Sequence, residues 1–143
     1  MAHRRNVAGL EHHWLELLDV HPDDARDFIA EIGAPYPERM SDRRVVLTGR
    51  ANGLSIEIRP TPSGGHAIAR IEADLTIGSK RLAELFPPGE VVAGETRAVV
   101  HARLGPPHRP GRGVDEWVLS VGRALSVRFD GDSVVGVAVH LID

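Results

Sequence analysis

The chain has 143 residues, of which 42% are hydrophobic and 26% charged, with a formal net charge of -3 and no cysteine. This is the balance of a globular protein, and the absence of cysteine excludes disulfides and thiolate metal sites. The longest apolar run, near Val134 to Ile142, is about half of what a membrane-spanning helix needs. Glu11, His12 and His13 interrupt any apolar region behind the basic N-terminus, which argues against a secretory signal. We therefore expect a cytoplasmic protein.

The first segments are predicted to be helical. Residues 9–19 place apolar side chains at helical spacing, and Pro22 then begins a second helix that Gly33 ends. Between residues 11 and 31 the chain holds seven acidic residues and a single basic one. Such a face repels phosphate and attracts a basic partner, although an ordinary solvated helix face is the plainer interpretation.

Alternating apolar and polar residues predict strands in the rest of the chain. One begins at Val45, a second covers 54–58 after an Asn-Gly turn, and a third covers 69–75. A connector with a short helix near residues 79–86 follows, and then come a helix from Glu95 to Leu104 and three more strands ending at Leu141. Asp130-Gly131 is predicted to be a hairpin turn, because the further oxygen ligands of a calcium loop are missing.

The two parts of the chain match each other in order. The matched pairs are Ile32-Gly33-Ala34-Pro35 with Leu104-Gly105-Pro106-Pro107, Val45 and Leu47 with Trp117 and Leu119, 54–58 with 125–129, and Ala69, Ile71, Ala73 and Leu75 with Val135, Val137, Val139 and Leu141. Four matches in the same order indicate a tandem duplication. We predict an α+β fold of two α-βββ repeats, forming antiparallel sheet(s) with the helices packed on one face. The first repeat with its extra N-terminal helix covers 1–75, the connector 76–93, and the second repeat 94–143.

No motif predicts a catalytic, metal or cofactor site. The chain lacks a nucleophile elbow, a phosphate loop and a dinucleotide fingerprint. Among its eight histidines, His12 has i, i+4 spacing to Glu16, but no second pair completes a metal site. Asp115 and Glu116 are adjacent on a strand and face opposite ways, so they are a poor acid pair. A small metal-dependent or small-molecule enzyme that uses the histidines remains the alternative.

Two loops are candidates for binding. The loop from Pro106 to Gly113 is basic and contains three prolines, and the loop from Pro35 to Arg44 contains a tyrosine and several arginines. Tyrosine and arginine are enriched at interface hot spots, and proline lowers the cost of ordering a loop. The pI of about 6.2 argues against direct nucleic-acid binding, although a regulatory module that contacts nucleic acid through the basic loop is a further alternative. The predicted partner-binding residues are Glu16, Asp19, Asp23, Asp24, Asp27, Tyr36, Arg39, His108, Arg109 and Arg112.

One stretch of the second repeat resembles a known family. The residues are Gly94-Glu95-Thr96-Arg97, Val100, Leu104-Gly105-Pro106-Pro107, Trp117 and Leu125-Ser126-Val127-Arg128-Phe129, and they resemble the repeat unit of the beta-lactamase inhibitor protein and its small-lipoprotein relatives. Those proteins are helix-plus-sheet units that bind other proteins and catalyse nothing. The connector Leu85 to Gly89 is similar to that of small bacterial immunity proteins of polymorphic toxin systems.

The two resemblances imply somewhat different proteins. The inhibitor protein is secreted and disulfide-linked, whereas this chain has no cysteine and no predicted signal. The resemblance therefore implies a cytoplasmic immunity or inhibitor protein that binds a cognate toxin or enzyme and blocks it, without direct contact to nucleic acid or membrane. If the target is a nuclease, we expect the acidic residues of the first helices to occupy its phosphate-binding groove. The oligomeric state stays open.

Overall fold

The computed structural model describes residues 14–50, 53–77, 91–120 and 122–142. Residues 14–17 are helical. The other elements are a 3-10 helix (Pro22–Ala25), α1 (Arg26–Glu31), β1 (Val45–Gly49), β2 (Leu54–Pro60), β3 (His66–Asp74), α2 (Arg97–Leu104), β4 (Val114–Ser120), β5 (Arg123–Asp130) and β6 (Ser133–Leu141). The six strands lie where alternation predicts them. The predicted connector helix, Asn52 of the predicted turn and residues 9–13 of the predicted first helix lie outside the described residues.

The six strands form one antiparallel sheet in the order β1-β2-β3-β6-β5-β4. The last strand of each predicted repeat lies in the middle, where β3 pairs with β6 from Arg70 opposite His140 to Asp74 opposite Gly136. Two three-stranded meanders therefore share one sheet, and β1 and β4 are its edges. The mixed α and β composition and the antiparallel sheet are confirmed.

Buried apolar residues from strands and helices form one core cluster. It contains Ile56, Ile71 and Val127 from the sheet together with Phe28 and Val100 from the helices. Burying an apolar side chain of this kind stabilises the fold by roughly 1.5–3 kcal/mol. In the ranges that the structure describes, no helix is long and apolar enough to cross a membrane.

A β-bulge in β3 changes which residues face the core. The register passes from Glu57 opposite Arg70 to Ile58 opposite Ile68, so Ala69 has no residue opposite it. Alternation predicted that Ala69 lies on the buried face of β3, and continuing the same alternation by one residue would point Ile68 to the other face. Ile68 is fully buried, and Ala69 is buried as the extra residue of the bulge. The alternation fails here because one inserted residue moves every residue beyond it to the other face.

A second bulge corrects the prediction for β4. The register skips Leu119 between Val118 and Ser120, and Leu119 is 36% exposed. Trp117 is buried as predicted, but the prediction that Leu119 shares its buried face is wrong. The bulge lies next to the turn that joins β4 to β5, where an extra residue is accommodated most easily.

Glycines follow the ends of α1 and α2, as their sequence positions predict. Gly33 (φ 82°) comes two residues after Glu31, the last residue of α1, and Gly105 (φ 85°) comes directly after α2. Both have the positive φ that side chains with a Cβ avoid. At the start of α2, the hydroxyl of Thr96 accepts a hydrogen bond from Val99 N at 3.2 Å. This cap starts the helix at Arg97, two residues later than predicted.

Glu95 links the start of α2 to its end through hydrogen bonds. Its carboxylate accepts hydrogen bonds from the guanidinium of Arg103 and from Val92 N, the latter at 2.8 Å. The bond from Arg103 holds the pKa of Glu95 below its ordinary value of 4.5, burial opposes the shift, and the bond from Val92 N adds to it. The pKa is lower in the folded state, so this carboxylate stabilises the protein fully above its unfolded pKa. The contribution is lost as the pH falls through the folded pKa.

We therefore expect the free energy of unfolding to fall in acid, with part of the fall caused by Glu95. In Glu95→Gln the protein is less stable at neutral pH, and its stability depends less on pH below about pH 4.5. Urea denaturation at a series of pH values measures both effects. Glu38→Gln, at an exposed position, is the matched control and is expected to follow the parent protein. A Glu95→Gln variant whose stability falls as steeply in acid as that of the parent would contradict the assignment.

Candidate functional site: a basic loop anchored by Asp115

Asp115 is a fully buried carboxylate in β4. Its Oδ2 accepts a hydrogen bond from His101 Nε2 at 2.6 Å, and its Oδ1 accepts one from Gly111 N at 3.2 Å. Arg97 Nε lies 3.7 Å from Oδ2. A buried carboxylate is costly unless it is paired and hydrogen-bonded, and these three groups meet that need.

The two basic partners of Asp115 come from α2. Arg97 and His101 are four residues apart, so their side chains lie on one face of the helix. The Arg97 guanidinium also donates to the carbonyl oxygens of Gly111 (3.2 Å) and Arg112 (2.8 Å), and it stacks 4.5 Å from the ring centre of Phe129. One arginine thus joins the helix, the strand and the loop that precedes the strand.

A tryptophan fixes the other end of the same loop. Trp117 lies edge-on to His101, with ring centres 5.8 Å apart. Its Nε1 donates a hydrogen bond to the carbonyl oxygen of Gly105 at 3.0 Å. Asp115 and Trp117 are two residues apart on β4 and therefore point to the same side of the sheet. The loop of residues 105–113, here called the anchored loop, is held at its first residue and near its last.

The anchored loop also covers the outer edge of β4. Arg109 and Glu116 exchange two backbone hydrogen bonds, at 3.1 and 3.0 Å. His108 Nδ1 accepts a hydrogen bond from Val118 N at 3.1 Å. Uncovered strand edges invite pairing with other chains, and this loop closes the edge at β4.

The structure brings together three predicted partner-binding residues in the anchored loop. Arg109 and Arg112 are exposed, and the Arg109 side chain, 71% exposed, lies 3.7 Å from the Glu116 carboxylate. The third residue, His108, uses Nδ1 to hold the strand edge. The loop therefore presents two arginines on a backbone that is fixed from several sides.

The predicted acidic residues form a second exposed group. Glu16, Asp19, Asp23, Asp24 and Asp27 are all exposed and belong to the segment from the first helical turn to α1. Asp19 is the described non-glycine residue with a left-handed backbone (φ 69°), and its N–H donates to the carbonyl oxygen of Ile68 at 2.7 Å. The segment is thus fixed to β3, and its carboxylates project into solvent.

Tyr36 joins this acidic segment. Its hydroxyl donates a hydrogen bond to Asp23, and the Arg26 guanidinium stacks 3.9 Å from the ring centre. Burial, followed by the bond to Asp23, raises the pKa of Tyr36 to about 12. The same bond is the main reason that the pKa of Asp23 is lowered. The last predicted residue, Arg39, is exposed, and the described residues form no ion pair with it.

The sequence prediction missed the three residues that hold the site, Arg97, His101 and Asp115. One signal was available, because Asp115 occupies a position in β4 where alternation with Trp117 calls for an apolar side chain. Asp115 and Glu116 do face opposite ways, as expected for neighbours on a strand: Asp115 is buried beside α2, and Glu116 pairs with Arg109. Among the described residues, the hydrogen bonds of the His101 side chain join it to Asp115 and to no hydroxyl group.

Metal-ligand geometry is missing from the described part of the chain. There, no group of three or more histidine, aspartate or glutamate side chains could hold a metal ion. The predicted weak pair of His12 with Glu16 includes a residue outside the described ranges. The predicted Asp130-Gly131 turn joins β5 to β6, with Gly131 at φ 63°, as a hairpin requires.

Comparison with known proteins supplies no relative for this arrangement. No family model, no curated protein and no solved structure matches the chain.

Proposed function

We propose that this protein binds another protein and neutralises it, as an immunity or inhibitor protein does, and that it catalyses nothing itself. The two groups of exposed charges, the arginines of the anchored loop and the acidic segment, are the proposed contacts. The proposal includes the finer architecture, in which two α-βββ repeats share one sheet and their helices cover one face of it. The resemblance to inhibitor and immunity proteins points the same way.

The positions of the bulges support the duplication. In β3 the extra residue is Ala69. In the β5–β6 pair the register passes from Arg128 opposite Gly136 to Phe129 opposite Val134, which makes Val135 the extra residue of β6. The sequence match aligns Ala69 with Val135. A bulge is a specific local feature, so finding it at matched places in both meanders supports a common origin.

The strand registers correct one part of the predicted match. Leu47 lies opposite Ile56, and Asp115 lies opposite Val127. Because the sequence match aligns Ile56 with Val127, the counterpart of Leu47 is Asp115. The earlier alignment of Leu47 with Leu119 is therefore wrong by four residues.

With this correction, Arg97, His101 and Asp115 of the second repeat occupy the positions that three apolar residues occupy in the first repeat. The apolar residues are all buried. Two pairs of counterparts follow from the offset of 72 residues that matches Ile32 with Leu104: Ala25 with Arg97, and Ile29 with His101. The third pair, Leu47 with Asp115, follows from the strand registers. This substitution is the observation that carries the proposal. Ionic groups in a buried place usually stabilise a protein no better than apolar groups of similar size. Here they fix a basic loop, and a loop fixed in advance loses less entropy on binding.

The test begins with the protein encoded by the adjacent gene, the first candidate for a cognate toxin. It is produced in cells with and without this chain, and growth and co-purification are measured. We expect the neighbour alone to stop growth, and the pair to grow and to elute as one complex. If neither flanking gene encodes a protein that forms a complex with this chain, the immunity assignment is wrong.

Charge variants then locate the contact. Arg109→Glu with Arg112→Glu reverses the charge of the anchored loop. Glu16→Gln, Asp24→Asn and Asp27→Asn together reduce the acidic charge without disturbing Asp19 or Asp23. We expect at least one set to slow association with the partner by about tenfold, and more at low salt, because exposed charges act mainly on the encounter. Stopped-flow fluorescence measures the rate. Asp130→Lys, at the exposed last residue of β5 beside the turn to β6 and outside every proposed contact, is the control. Equal rates for all variants would refute the assigned contacts.

One observation favours nucleic acid as a second candidate partner. Arg109 and Arg112 are exposed on a fixed backbone, and arginine pairs well with phosphate. Fluorescence titration of labelled single- and double-stranded oligonucleotides at two salt concentrations decides this. Tight, salt-dependent binding that Arg109→Glu with Arg112→Glu abolishes would replace the protein-binding proposal for the loop.

A further inference from the structure

The two edges of the sheet differ, and the difference points to a second binding surface. The anchored loop covers the edge at β4. For β1, no covering segment is found among the described residues. We propose that the edge of β1 pairs with an extended acidic segment of a partner protein, which adds a seventh strand to the sheet. This goes beyond the proposed function, because the edge of β1 is distinct from the anchored loop and from the acidic segment of this chain itself.

The strand pairing shows which backbone N–H and C=O groups of β1 have no partner within the sheet. Asp74 N donates to the carbonyl oxygen of Gly53, so the backbone groups of Gly53 face β3. Along a strand these groups point alternately to the two sides, so those of Leu54 face β1. Leu54 lies opposite Gly49. Counting back along β1, the N–H and C=O groups of Val46 and Thr48 point away from the sheet.

The residues that carry these groups line a groove in the described part of the chain. Its volume is about 570 Å³, and it is lined by Val46, Leu47, Thr48 and Arg50 together with Gly33 and Pro35. The Val46 side chain is 56% exposed. The groove therefore offers backbone donors and acceptors beside an apolar side chain, the two features that an added strand uses for affinity and for specificity.

The other edge shows how a segment occupies such a place. At β4 the backbone of Arg109 exchanges two hydrogen bonds with Glu116, and His108 accepts one from Val118 N. In the first repeat the corresponding loop runs elsewhere, since the carbonyl oxygen of Ser41 lies 2.8 Å from His66 Nε2. The groove at β1 thus corresponds to the place that the anchored loop occupies at the edge of β4 in the second repeat.

The charges around the groove indicate what kind of segment would bind there. Arg43 and Arg44 lie just before β1 and Arg50 just after it, and all three are exposed. An extended segment with carboxylates at both ends is complementary to this arrangement. A second copy of the chain is less suitable, because the antiparallel register that pairs Val46 with Thr48 sets Arg44 opposite Arg50, and like charges placed opposite each other destabilise a strand pair.

The experiment uses three labelled peptides of seven residues with blocked ends. The first is Glu-Val-Thr-Val-Thr-Val-Glu, the second has lysine at both ends, and the third has proline at the centre. Binding is measured by fluorescence anisotropy, and the amide signals of Val46 and Thr48 are followed by NMR. We expect the acidic peptide to bind at least tenfold more tightly than the other two, and its binding to shift both amide signals and protect them from exchange.

Two variants confine the effect to β1. Thr48→Pro removes a free N–H, which an edge strand tolerates, and Arg50→Glu reverses a charge at the groove without altering the backbone. Each is expected to weaken the acidic peptide at least tenfold, whereas Arg112→Glu in the anchored loop leaves it unchanged. Equal binding of the acidic and lysine peptides, no binding of any peptide, or a dimer in sedimentation that Arg50→Glu dissociates would each overturn the proposal. None of these outcomes bears on the anchored loop, which the partner-association rates test separately.

Discussion

Replacing Asp115 with leucine is expected to lower the free energy of unfolding by about 2–3 kcal/mol, even though the proposed duplication would make Leu47 its counterpart in β1. The substitution takes away the acceptor of Gly111 N and His101 Nε2 and leaves the Arg97 guanidinium without its carboxylate. Arg97 and His101 are 27% and 33% exposed, so solvent offsets part of the loss. Urea denaturation at neutral pH measures the change.

A triple variant separates the effect of the Asp115 cluster on stability from its effect on the order of the anchored loop. Arg97→Ala, His101→Ile and Asp115→Leu together introduce the apolar residues that the proposed duplication matches to these positions. We expect this variant to recover at least half of the stability lost in Asp115→Leu, because apolar residues can replace a buried ionic cluster at little cost. The amides of Arg109 and Gly111 are nevertheless expected to exchange faster than in the parent protein. A triple variant whose loop stays protected would contradict the anchoring role of the cluster.

Gly49→Ala is the second substitution with a large expected effect. A methyl group on Gly49 would lie 1.8 Å from the carbonyl oxygen of Ile32 and 2.7 Å from its carbonyl carbon. Both atoms are backbone, so the end of α1 has to move away from β1, and Ile32 is fully buried in the core. We expect a loss of about 2–3 kcal/mol in the free energy of unfolding, the size typical of overpacking.

Gly136→Ala is the matched control, because the obstacle there is flexible. A methyl group on Gly136 would lie 2.7 Å from Arg128 Nη2, the far end of a side chain that is 42% exposed. The nearest backbone atom is the carbonyl oxygen of Ala73 at 3.3 Å, which needs to move by only a few tenths of an ångström. The arginine swings away and loses its 2.6 Å ion pair with Glu72, a surface interaction worth about 1 kcal/mol or less. Thermal unfolding of the two variants compares them directly. Similar losses of unfolding free energy in the two variants would mean that the close approach of the Ile32 backbone does not determine the effect of Gly49→Ala.

The strands were predictable because their signal is local. In β2, Leu54, Ile56 and Ile58 alternate with polar residues, and all three are buried. A half-buried strand needs this alternation wherever it lies in the sheet. The bulge at Ala69 was not predictable in the same way, because both Ile68 and Ala69 are apolar and the sequence offers no turn residue to mark the change of face.

The site was predictable only in part. The basic loop and the acidic segment were found from composition, and both are exposed. Asp115 was considered only as a neighbour of Glu116. Its links to Arg97 and His101 join residues 18 and 14 positions apart, respectively, and its place opposite Val127 depends on pairing with β5. The immunity or inhibitor role stays a prediction that the partner experiments test.

The sequence by itself determined where the strands lie, where Gly33 and Gly105 end the helices, and that both α and β structure is present. These features depend on side-chain alternation and on backbone preferences, which act over a few residues. Only the tertiary structure decided the strand order, the bulges, the burial of Asp115 and the position of β1 at an edge of the sheet. Each of these depends on which distant segments pair, and the free energy of such a pairing belongs to two parts of the chain together, so neither part reveals it alone.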